Sequence, residues 1–191
     1  MTSKEGIISC FEIYRERFPG EHAATQLFSD YLLSTSQDEL FTRKNFDGHI
    51  TTSAFIIDPG HKEMLLLRHK SLGRWLQPGG HTEADDSLLL SALREAVEET
   101  GIPEEQLRNI PVFANKEVPF DIDSHYIPAN EKKQEAGHYH HDLRYLFVYT
   151  GDGRTNYNED ESTGLKWVTF SELADDATFG HVIKKIVICL A

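Results

Sequence analysis

Residues 80–102, GHTEADDSLLLSALREAVEETGI, combine a glycine turn, a helix start and a group of carboxylates in one short stretch. On a helix with 3.6 residues per turn, Glu95, Glu98 and Glu99 stand at positions i, i+3 and i+4 and share one side. Like charges this close repel one another, and a cation would offset them. Mg²⁺ binds carboxylate oxygens while keeping waters and substrate phosphates in its shell, so the stretch predicts a metal site for pyrophosphate chemistry.

The same stretch resembles the Nudix box, G-x5-E-x7-R-E-U-x-E-E-x-G-U, in which U is aliphatic. The residues on its fixed positions are Gly80, Arg94, Glu95, Glu98, Glu99, Gly101 and Ile102. One position departs from the pattern, because Asp86 replaces the first Glu, and Ala96 is a small residue for an aliphatic position. An amphipathic helix with a solvated acidic face is the simpler alternative. The resemblance is favoured because its match is far more specific than a lone glycine-rich motif.

Composition predicts one domain with an extension. A chain of 191 residues with 39% hydrophobic content is long enough for one core and too short for two comfortable domains. Its net charge of -12 argues against a nucleic-acid partner, since that affinity is built from Lys and Arg. Cys10 and Cys189 show no metal or redox spacing, which predicts reduced thiols and a cytoplasmic location. No signal peptide and no membrane attachment are expected.

The first part of the chain predicts a helical extension over residues 1–44, ahead of a Nudix hydrolase domain over residues 45–191. An apolar stripe predicts one helix over residues 3–18, and a second is expected over residues 21–33. The residues expected on the buried side of the second helix are Ala24, Leu27, Phe28, Tyr31 and Leu32. Three alternative roles stay open for this helical hairpin. It would cap the core, form a homodimer contact or shape the substrate cleft.

Extended patterns begin at His49, where HITTSAFIID and later EMLLLRH and HYHHDLRYLFVYTG predict strands. The box helix is expected to begin near Ser87, with Asp85 or Asp86 as its N-cap and Gly101 at its end. The residues expected to face the core are Leu89, Leu90, Leu93 and Val97. With the resemblance, these patterns predict an α/β fold, a Nudix α/β/α sandwich in which the box helix packs on a mixed β-sheet.

The resemblance also implies roles for the box residues. It assigns Glu95 and Glu99 to binding of the essential Mg²⁺ or Mn²⁺, with a backbone oxygen from the Gly80 carbonyl. It makes Glu98 a further ligand or the general base. Arg94 is implied to orient the carboxylates through an ion pair. Asp86 is shorter than the family's Glu, and a helix cap is at least as good an account of it as a site role.

A further base often lies outside the box in this family, in a loop before a late strand. Glu161, six residues before Trp167, is the first candidate. The candidates that follow it are Glu159, Asp160 and Asp142. Most acidic residues in such a loop are only solvated, so each of them is weighed against that alternative.

Basic residues and histidines outside the box supply the predicted substrate contacts. These residues are Arg68, Arg74, His138, His140 and Arg144. In a strand, His138, His140, Asp142 and Arg144 point to one side, which suits a phosphate or an extra metal ion. A solvent-facing edge strand is the alternative. Substrate contact is favoured, because Arg144 offers a permanent charge with fork geometry for phosphate, and a transition-metal site at His138 and His140 is the weaker interpretation.

The expected function is divalent-metal-dependent hydrolysis of a pyrophosphate bond in a nucleoside diphosphate linked to another moiety, by attack of a metal-activated water. The expected partner is a small phosphorylated molecule, a nucleotide derivative. Two alternatives stay open, a non-catalytic nucleotide-binding or regulatory Nudix domain and an isopentenyl diphosphate isomerase on the same fold. The isomerase needs an active-site Cys, and Cys10 and Cys189 lie far from the box in sequence.

Overall fold

The structure is a computed structural model that describes residues 3–60, 62–70, 72–83, 85–131, 134–151 and 162–190. Its helices and strands, in chain order, are α1 (Lys4–Arg17), α2 (Gln26–Ser34), β1 (His49–Asp58), β2 (Glu63–His69), β3 (Trp75–Leu76), β4 (Gly79–His81), α3 (Leu88–Thr100), β5 (Leu107–Asn109), β6 (Asp121–Ile127), β7 (His138–Tyr149), β8 (Ser162–Thr169), α4 (Phe170–Leu173) and α5 (Gly180–Leu190).

One mixed sheet of eight strands, counted over these described ranges, forms the middle layer. β1 runs parallel to β7, and β5 and β6 pair antiparallel with the other edge of β7. On its far side β1 pairs antiparallel with β2 and β4, and β2 in turn pairs with β3 and β8. The parallel pairing sets residues that are far apart in sequence side by side, with His49 opposite His140.

Helices cover both faces of the sheet. Because side chains alternate along a strand, Ile50 and Ala54 of β1 share a core with α1, α2 and α3, whereas Phe55 shares a second core with α5. Along β7, Leu143 belongs to the first core and Leu146 to the second. The arrangement is an α/β/α sandwich, which confirms the predicted fold class. No helix within the described ranges combines the length and apolarity that crossing a bilayer requires.

The two amino-terminal helices are part of the first core. Ile7, Phe11 and Tyr14 of α1 are buried there. The Tyr31 hydroxyl of α2 donates to the Gly48 carbonyl at 3.0 Å, and its ring stacks on His141 with 4.2 Å between ring centroids. These contacts give the helical hairpin a packing role. The division into residues 1–44 and 45–191 stays a prediction.

The second helix begins later than predicted, at Gln26, because Pro19–Glu21 forms a short 3₁₀ turn. Ala24 therefore lies in the exposed connection, and Leu27 faces solvent, so their predicted burial is wrong. The residues that are buried as predicted are Phe28, Tyr31 and Leu32.

The box helix α3 is bounded by a hydroxyl cap and a glycine. The Ser87 hydroxyl accepts a hydrogen bond from the Leu90 N–H at 3.3 Å, so the prediction of Asp85 or Asp86 as the N-cap is wrong. Gly101 adopts a left-handed φ of 65° and donates to the Val97 carbonyl at 2.9 Å, as predicted for the end of this helix.

The buried face of α3 differs from the prediction at one residue. Leu89 is buried, and Leu93 and Val97 pack partly against the first core, whereas Leu90 is exposed. Leu90 is two residues away from the buried Leu88 and from the buried Ala92, which places it about 200° around the helix, on the solvent side. The small Ala96 is fully buried, so the size of this side chain matches the close packing of α3 on its neighbours.

Candidate active site

Strand β4 places the glycine turn against α3. A Cβ added to Gly80 would lie 2.6 Å from Oε1 of Glu95, so only a glycine lets the backbone come this close to the carboxylate. The Gly79 N–H donates to Oε2 of Glu99 at 2.8 Å. The carboxylates of Glu95 and Glu99 therefore both lie against the same short strand.

The three box carboxylates differ in exposure. Glu95 is 8% exposed and Glu99 is 7% exposed, whereas the side chain of Glu98 is 54% exposed. Burying a carboxylate is costly unless hydrogen bonds and opposite charge compensate it. The site consequently has two buried acidic groups at its base and one at its rim, as expected for residues at i, i+3 and i+4 of one helix.

Arg94 connects the acidic groups of this site. Its Nη1 donates to Oε1 of Glu95 at 3.0 Å and to Oε2 of Glu98 at 3.1 Å. Its Nη2 donates to the His81 carbonyl at 3.0 Å, and its Nε donates to Oδ1 of Asp85 at 3.2 Å. Arg94 thus fixes the glycine strand, the loop after it and the box helix relative to one another.

Asp85 is a site residue that the sequence interpretation considered only as a helix cap. Burial alone raises the pKa of Asp85, but its hydrogen bonds from Arg94 lower that pKa below its usual range. Asp86, at the departing position of the box, is exposed on the surface. The sequence does offer a sign of this role, because Asp85 is acidic and comes directly before the position of the expected Glu.

The residues of this site fit a divalent cation. Carboxylates and a backbone carbonyl are hard oxygen donors, which Mg²⁺ and Mn²⁺ prefer. Four carboxylates against one guanidinium leave a formal excess of about three negative charges, which a divalent ion would reduce. The acidic groups counted here are Asp85, Glu95, Glu98 and Glu99. The absence of a side chain at Gly80 lets the backbone of β4 lie close to the Glu95 carboxylate.

Of the predicted bases outside the box, the structure describes only Asp142. Glu159, Asp160 and Glu161 lie outside the described residues. Asp142 is buried, and its Oδ2 accepts hydrogen bonds from the Ser53 hydroxyl at 2.7 Å and from the Arg144 Nε at 3.0 Å. Such a satisfied carboxylate is an acceptor within the fold.

The predicted substrate arginines lie in different surroundings. Arg68 and Arg74 are exposed on β2 and beside β3, and Nη2 of Arg74 lies 3.4 Å from the Thr178 hydroxyl. Arg144 is buried, because β6 pairs with β7 and sets Asp121 and Asp123 beside it. Burial alone lowers the pKa of Arg144, but the carboxylate of Asp142, together with these two, raises that pKa above its usual range. Its charge is compensated inside the protein, which differs from the exposed phosphate-binding charge that the sequence suggested.

The structure brings His138 and His140 together with a third histidine, His49 of β1. Nε2 of His138 lies 3.2 Å from Nε2 of His140, and the rings of His49 and His140 are 4.6 Å apart between centroids. Burial and neighbouring histidines lower the pKa of His49 to about 4 and that of His140 to about 2. Sequence reasoning missed His49, although the alternation His49, Thr51, Ser53 marks one face of its strand.

The two cysteines lie in different layers. Cys10 is buried in α1 within the first core, and Cys189 is partly buried in α5 against the second core. Burial raises the pKa of both thiols, which disfavours the reactive thiolate. This placement gives no support to a cysteine-dependent isomerase.

A mixed sheet between helices, with a carboxylate-bearing helix packed against a glycine strand, defines a class of α/β proteins. The NUDIX domain family model matches residues 47–187, and the chain belongs to the Nudix family. This membership confirms the resemblance of the box.

Curated relatives carry hydrolase names. The chain is 34% identical over 116 residues to the probable DHNTP pyrophosphohydrolase of Lactococcus lactis subsp. cremoris (strain MG1363). This match covers 60% of this chain and 63% of the relative. It is 30% identical over 128 residues to the m7GpppN-mRNA hydrolase NUDT17 of Homo sapiens, covering 61% of this chain and 37% of that protein. The chain therefore spans less than two thirds of the length of these relatives.

Solved structures show the same fold at lower identity. The C. elegans Ap4A hydrolase in a binary complex has a TM-score of 0.56 at 20% identity and covers 74% of this chain and 96% of its own. The E. coli dihydroneopterin triphosphate pyrophosphohydrolase has a TM-score of 0.57 at 18% identity and covers 73% of this chain and 94% of its own. At these identities the likeness concerns the fold alone.

Proposed function

We propose that this protein is a divalent-metal-dependent hydrolase that cleaves a pyrophosphate bond in a nucleoside diphosphate linked to another moiety. The observation that carries the proposal is the pair of buried carboxylates, Glu95 and Glu99, fixed against the glycine strand. A buried acidic pair in a site with excess negative charge is stable only with compensation, and a cation provides it. The hydrolase names of the relatives support this reaction class.

Each site residue has a role in this proposal. Glu95, Glu99 and the Gly80 carbonyl would hold Mg²⁺ or Mn²⁺. When bound, the ion supplies charge neutralisation on the phosphate oxygens and a more acidic water. Glu98, at the exposed rim, would accept a proton from the attacking water or join the ligands. Arg94 acts as a positioning residue, because it contacts both Glu95 and Glu98.

The substrate proposal rests on less than the reaction class. Arg68 and Arg74 are exposed and would attract a polyphosphate towards the site, whereas Arg144 is engaged inside the fold. The expected partner is a small nucleotide derivative. The homodimer and the cytoplasmic location predicted from the sequence stay predictions.

A second substrate class is favoured by one specific observation. The relative at 34% identity bears the name probable DHNTP pyrophosphohydrolase. A pterin triphosphate presents the same phosphoanhydride bond with a different ring, so the site described here suits both. The ring-binding surface, outside the box, would decide between them.

The test is a substrate panel followed by phosphorus NMR. Nucleoside diphosphate sugars, dinucleoside polyphosphates, nucleoside triphosphates, NADH, coenzyme A and dihydroneopterin triphosphate are each incubated with Mg²⁺, with Mn²⁺ and with a chelator. We expect metal-dependent cleavage of at least one substrate, and a loss of more than about 100-fold in Glu99→Gln, since even residues outside the metal's ligands cost about 10–100-fold.

The matched control is Glu104→Gln, which makes the same chemical change at an exposed residue of the turn after α3. It should keep full activity. Tight nucleotide binding without hydrolysis by the wild-type protein would instead support the regulatory alternative. Full activity in Glu99→Gln would refute the proposed metal site.

A further inference from the structure

The strand order gathers histidines at one end of one sheet face. In the parallel pair, His49 of β1 lies opposite His140 of β7, and His125 of β6 lies opposite His140 from the other edge. His138 is two residues before His140 and so points to the same side of β7. This face is opposite to the one that α3 covers, since His141 contacts Tyr31 of α2 on that other side.

Three of these histidines converge closely. The ring centroids of His49 and His138 are 4.9 Å apart, those of His49 and His140 are 4.6 Å apart, and those of His138 and His140 are 5.1 Å apart. One ring nitrogen from each lies within 4.8 Å of the other two. In the described part of the chain, this is the only group of three His, Cys, Asp or Glu side chains that meets this distance.

Hydrogen bonds orient the rings with nitrogens towards one another. Nδ1 of His138 lies 2.7 Å from the Ala136 carbonyl, which assigns the proton to Nδ1 and leaves the Nε2 lone pair facing His140. Nδ1 of His49 is buried without a partner in hydrogen-bonding geometry, although the Asn45 carbonyl is near enough to affect its pKa. Outward contacts of this kind to backbone carbonyls typically orient histidines that bind metals.

We propose that His49, His138 and His140 bind a divalent transition-metal ion, with Zn²⁺ as the first candidate. Imidazole nitrogens suit Zn²⁺ and its neighbours in the first transition row, whereas Mg²⁺ requires oxygen ligands. A tetrahedral zinc with nitrogens at about 2.0–2.1 Å spaces them about 3.3–3.4 Å apart. The 3.2 Å between Nε2 of His138 and of His140 is close to that spacing.

The three histidines are less suited to binding a phosphate than to binding a metal ion. The lowered pKa values of His49 and His140 leave these two rings neutral near pH 7, so they bring no positive charge to an anion. The same neutral rings have lone pairs to offer a metal ion. These shifts agree with the geometry, which carries the proposal.

The histidine site would act on the fold beside the active site. Nε2 of His81 lies 3.0 Å from Nε2 of His49, and His81 directly follows Gly80 on β4. An ion bound by the three histidines would connect β1 and β7 where His49 lies opposite His140. This part of β1 is next to the residues that pair with β4, the glycine strand. We therefore expect a stabilising effect of the ion on the folded chain, measurable without any substrate.

The test is zinc binding by the full chain, freed of any affinity tag and stripped with a chelator. Calorimetry and elemental analysis are carried out in excess Mg²⁺, which occupies oxygen sites. We expect one Zn²⁺ per chain, at least tenfold weaker binding in His140→Gln, and no stoichiometric binding in the His138→Ala/His140→Ala double variant. Zn²⁺ should raise the melting temperature of the wild-type protein and leave that of the double variant unchanged.

Two controls separate this site from others. His22→Ala removes an exposed histidine outside the cluster and should bind zinc as the wild-type protein does. Glu99→Gln should also keep its zinc, so the outcome is independent of the proposed hydrolysis. Absence of stoichiometric zinc in the wild-type protein, undiminished zinc in the folded double variant, or loss of zinc in Glu99→Gln would each overturn the proposal.

Discussion

Two arginines in this chain each contact three carboxylates, and their surroundings give them different roles. Arg94 contacts Asp85, Glu95 and Glu98, and Arg144 contacts Asp121, Asp123 and Asp142. The side chain of Arg94 is 21% exposed, whereas that of Arg144 is 7% exposed beside an Asp121 that is 2% exposed. The same set of charges is thus accessible to solvent around Arg94, the open group, and buried around Arg144, the closed group.

The closed group is completed by further protein donors. Nζ of Lys185 on α5 donates to Oδ1 of Asp121 at 3.2 Å and to the Tyr14 hydroxyl of α1 at 2.8 Å. The Ser53 hydroxyl donates to Asp142. These contacts connect helices of both layers through the sheet. The comparison teaches that an arginine among buried carboxylates serves the packing of the fold, whereas an arginine beside an exposed carboxylate leaves the group accessible to a ligand, as the proposed metal site requires.

The largest expected effect is on stability, from removing the buried arginine. Arg144→Met should lower the free energy of unfolding by about 3–5 kcal/mol, because it leaves buried carboxylates without compensation. Arg94→Met, the same change at the more exposed site, should cost less, because the Arg94 side chain is 21% exposed and water reaches the Glu98 carboxylate. Urea denaturation followed by circular dichroism measures both. Equal losses in the two variants would remove the distinction drawn here.

The next effect is on turnover, where the change at Arg94 matters most, although the change at Arg144 has the larger effect on stability. Arg94→Met should lower kcat by about 10–100-fold, the loss typical of a residue that orients metal ligands. Arg94→Lys should restore only part of it, because Lys lacks the planar fork that contacts Glu95 and Glu98 together. Steady-state kinetics on the substrate found in the panel provides the measurement. A kcat that Arg94→Met leaves unchanged would contradict the positioning role.

The two glycines of β4 allow a sharper comparison within the open site. In Gly79→Ala the new Cβ would meet backbone, with the Thr52 carbonyl oxygen at 2.7 Å, and stability should fall. In Gly80→Ala it would meet the Glu95 carboxylate at 2.6 Å, a side chain that has to move out of the site. We expect Gly80→Ala to keep its melting temperature within a few degrees and to lose about tenfold in apparent metal affinity. Metal titration of activity, alongside thermal melts, tests the pair.

The smallest effect concerns pH and the edge of the closed group. A hydrogen bond with Asp121 raises the pKa of His181 above its usual value. The stabilisation is therefore fully present below about pH 6.5, the unfolded value, and is lost as the pH rises through the raised pKa. His181→Gln should lower the melting temperature at pH 5.5 and leave it unchanged at pH 9. An equal change at both pH values would argue against this ion pair.

Local patterns predicted much of the fold, because their causes are local. Gly101 ends α3 because a left-handed residue is needed there, and the strand of His138–Tyr149 follows from its β-prone composition. Ser87 caps the helix in place of Asp85 or Asp86, since neighbouring residues with equal capping ability are not distinguished by pattern alone. The periodicity predicts that Leu27 and Leu90 face the core, but both side chains are exposed.

The acidic part of the candidate site follows from the sequence, whereas the contacts that form between neighbouring strands do not. The spacing of Glu95, Glu98 and Glu99 along one helix is a local property, so it was readable. The partners of Arg144 and the approach of His49 to His140 depend on strand pairing, which joins residues far apart in sequence. No local pattern specifies which strand lies next to which, or how their registers align.

Manganese binding followed by electron paramagnetic resonance tests the central claim most directly, since Mn²⁺ prefers oxygen ligands and bound and free ions give different signals. The wild-type protein and the His138→Ala/His140→Ala variant should bind Mn²⁺ alike. The Glu95→Gln/Glu99→Gln variant, with an intact thermal melt, should leave the ion free. Unchanged Mn²⁺ binding in that folded variant would contradict the assignment of the box carboxylates as the metal centre.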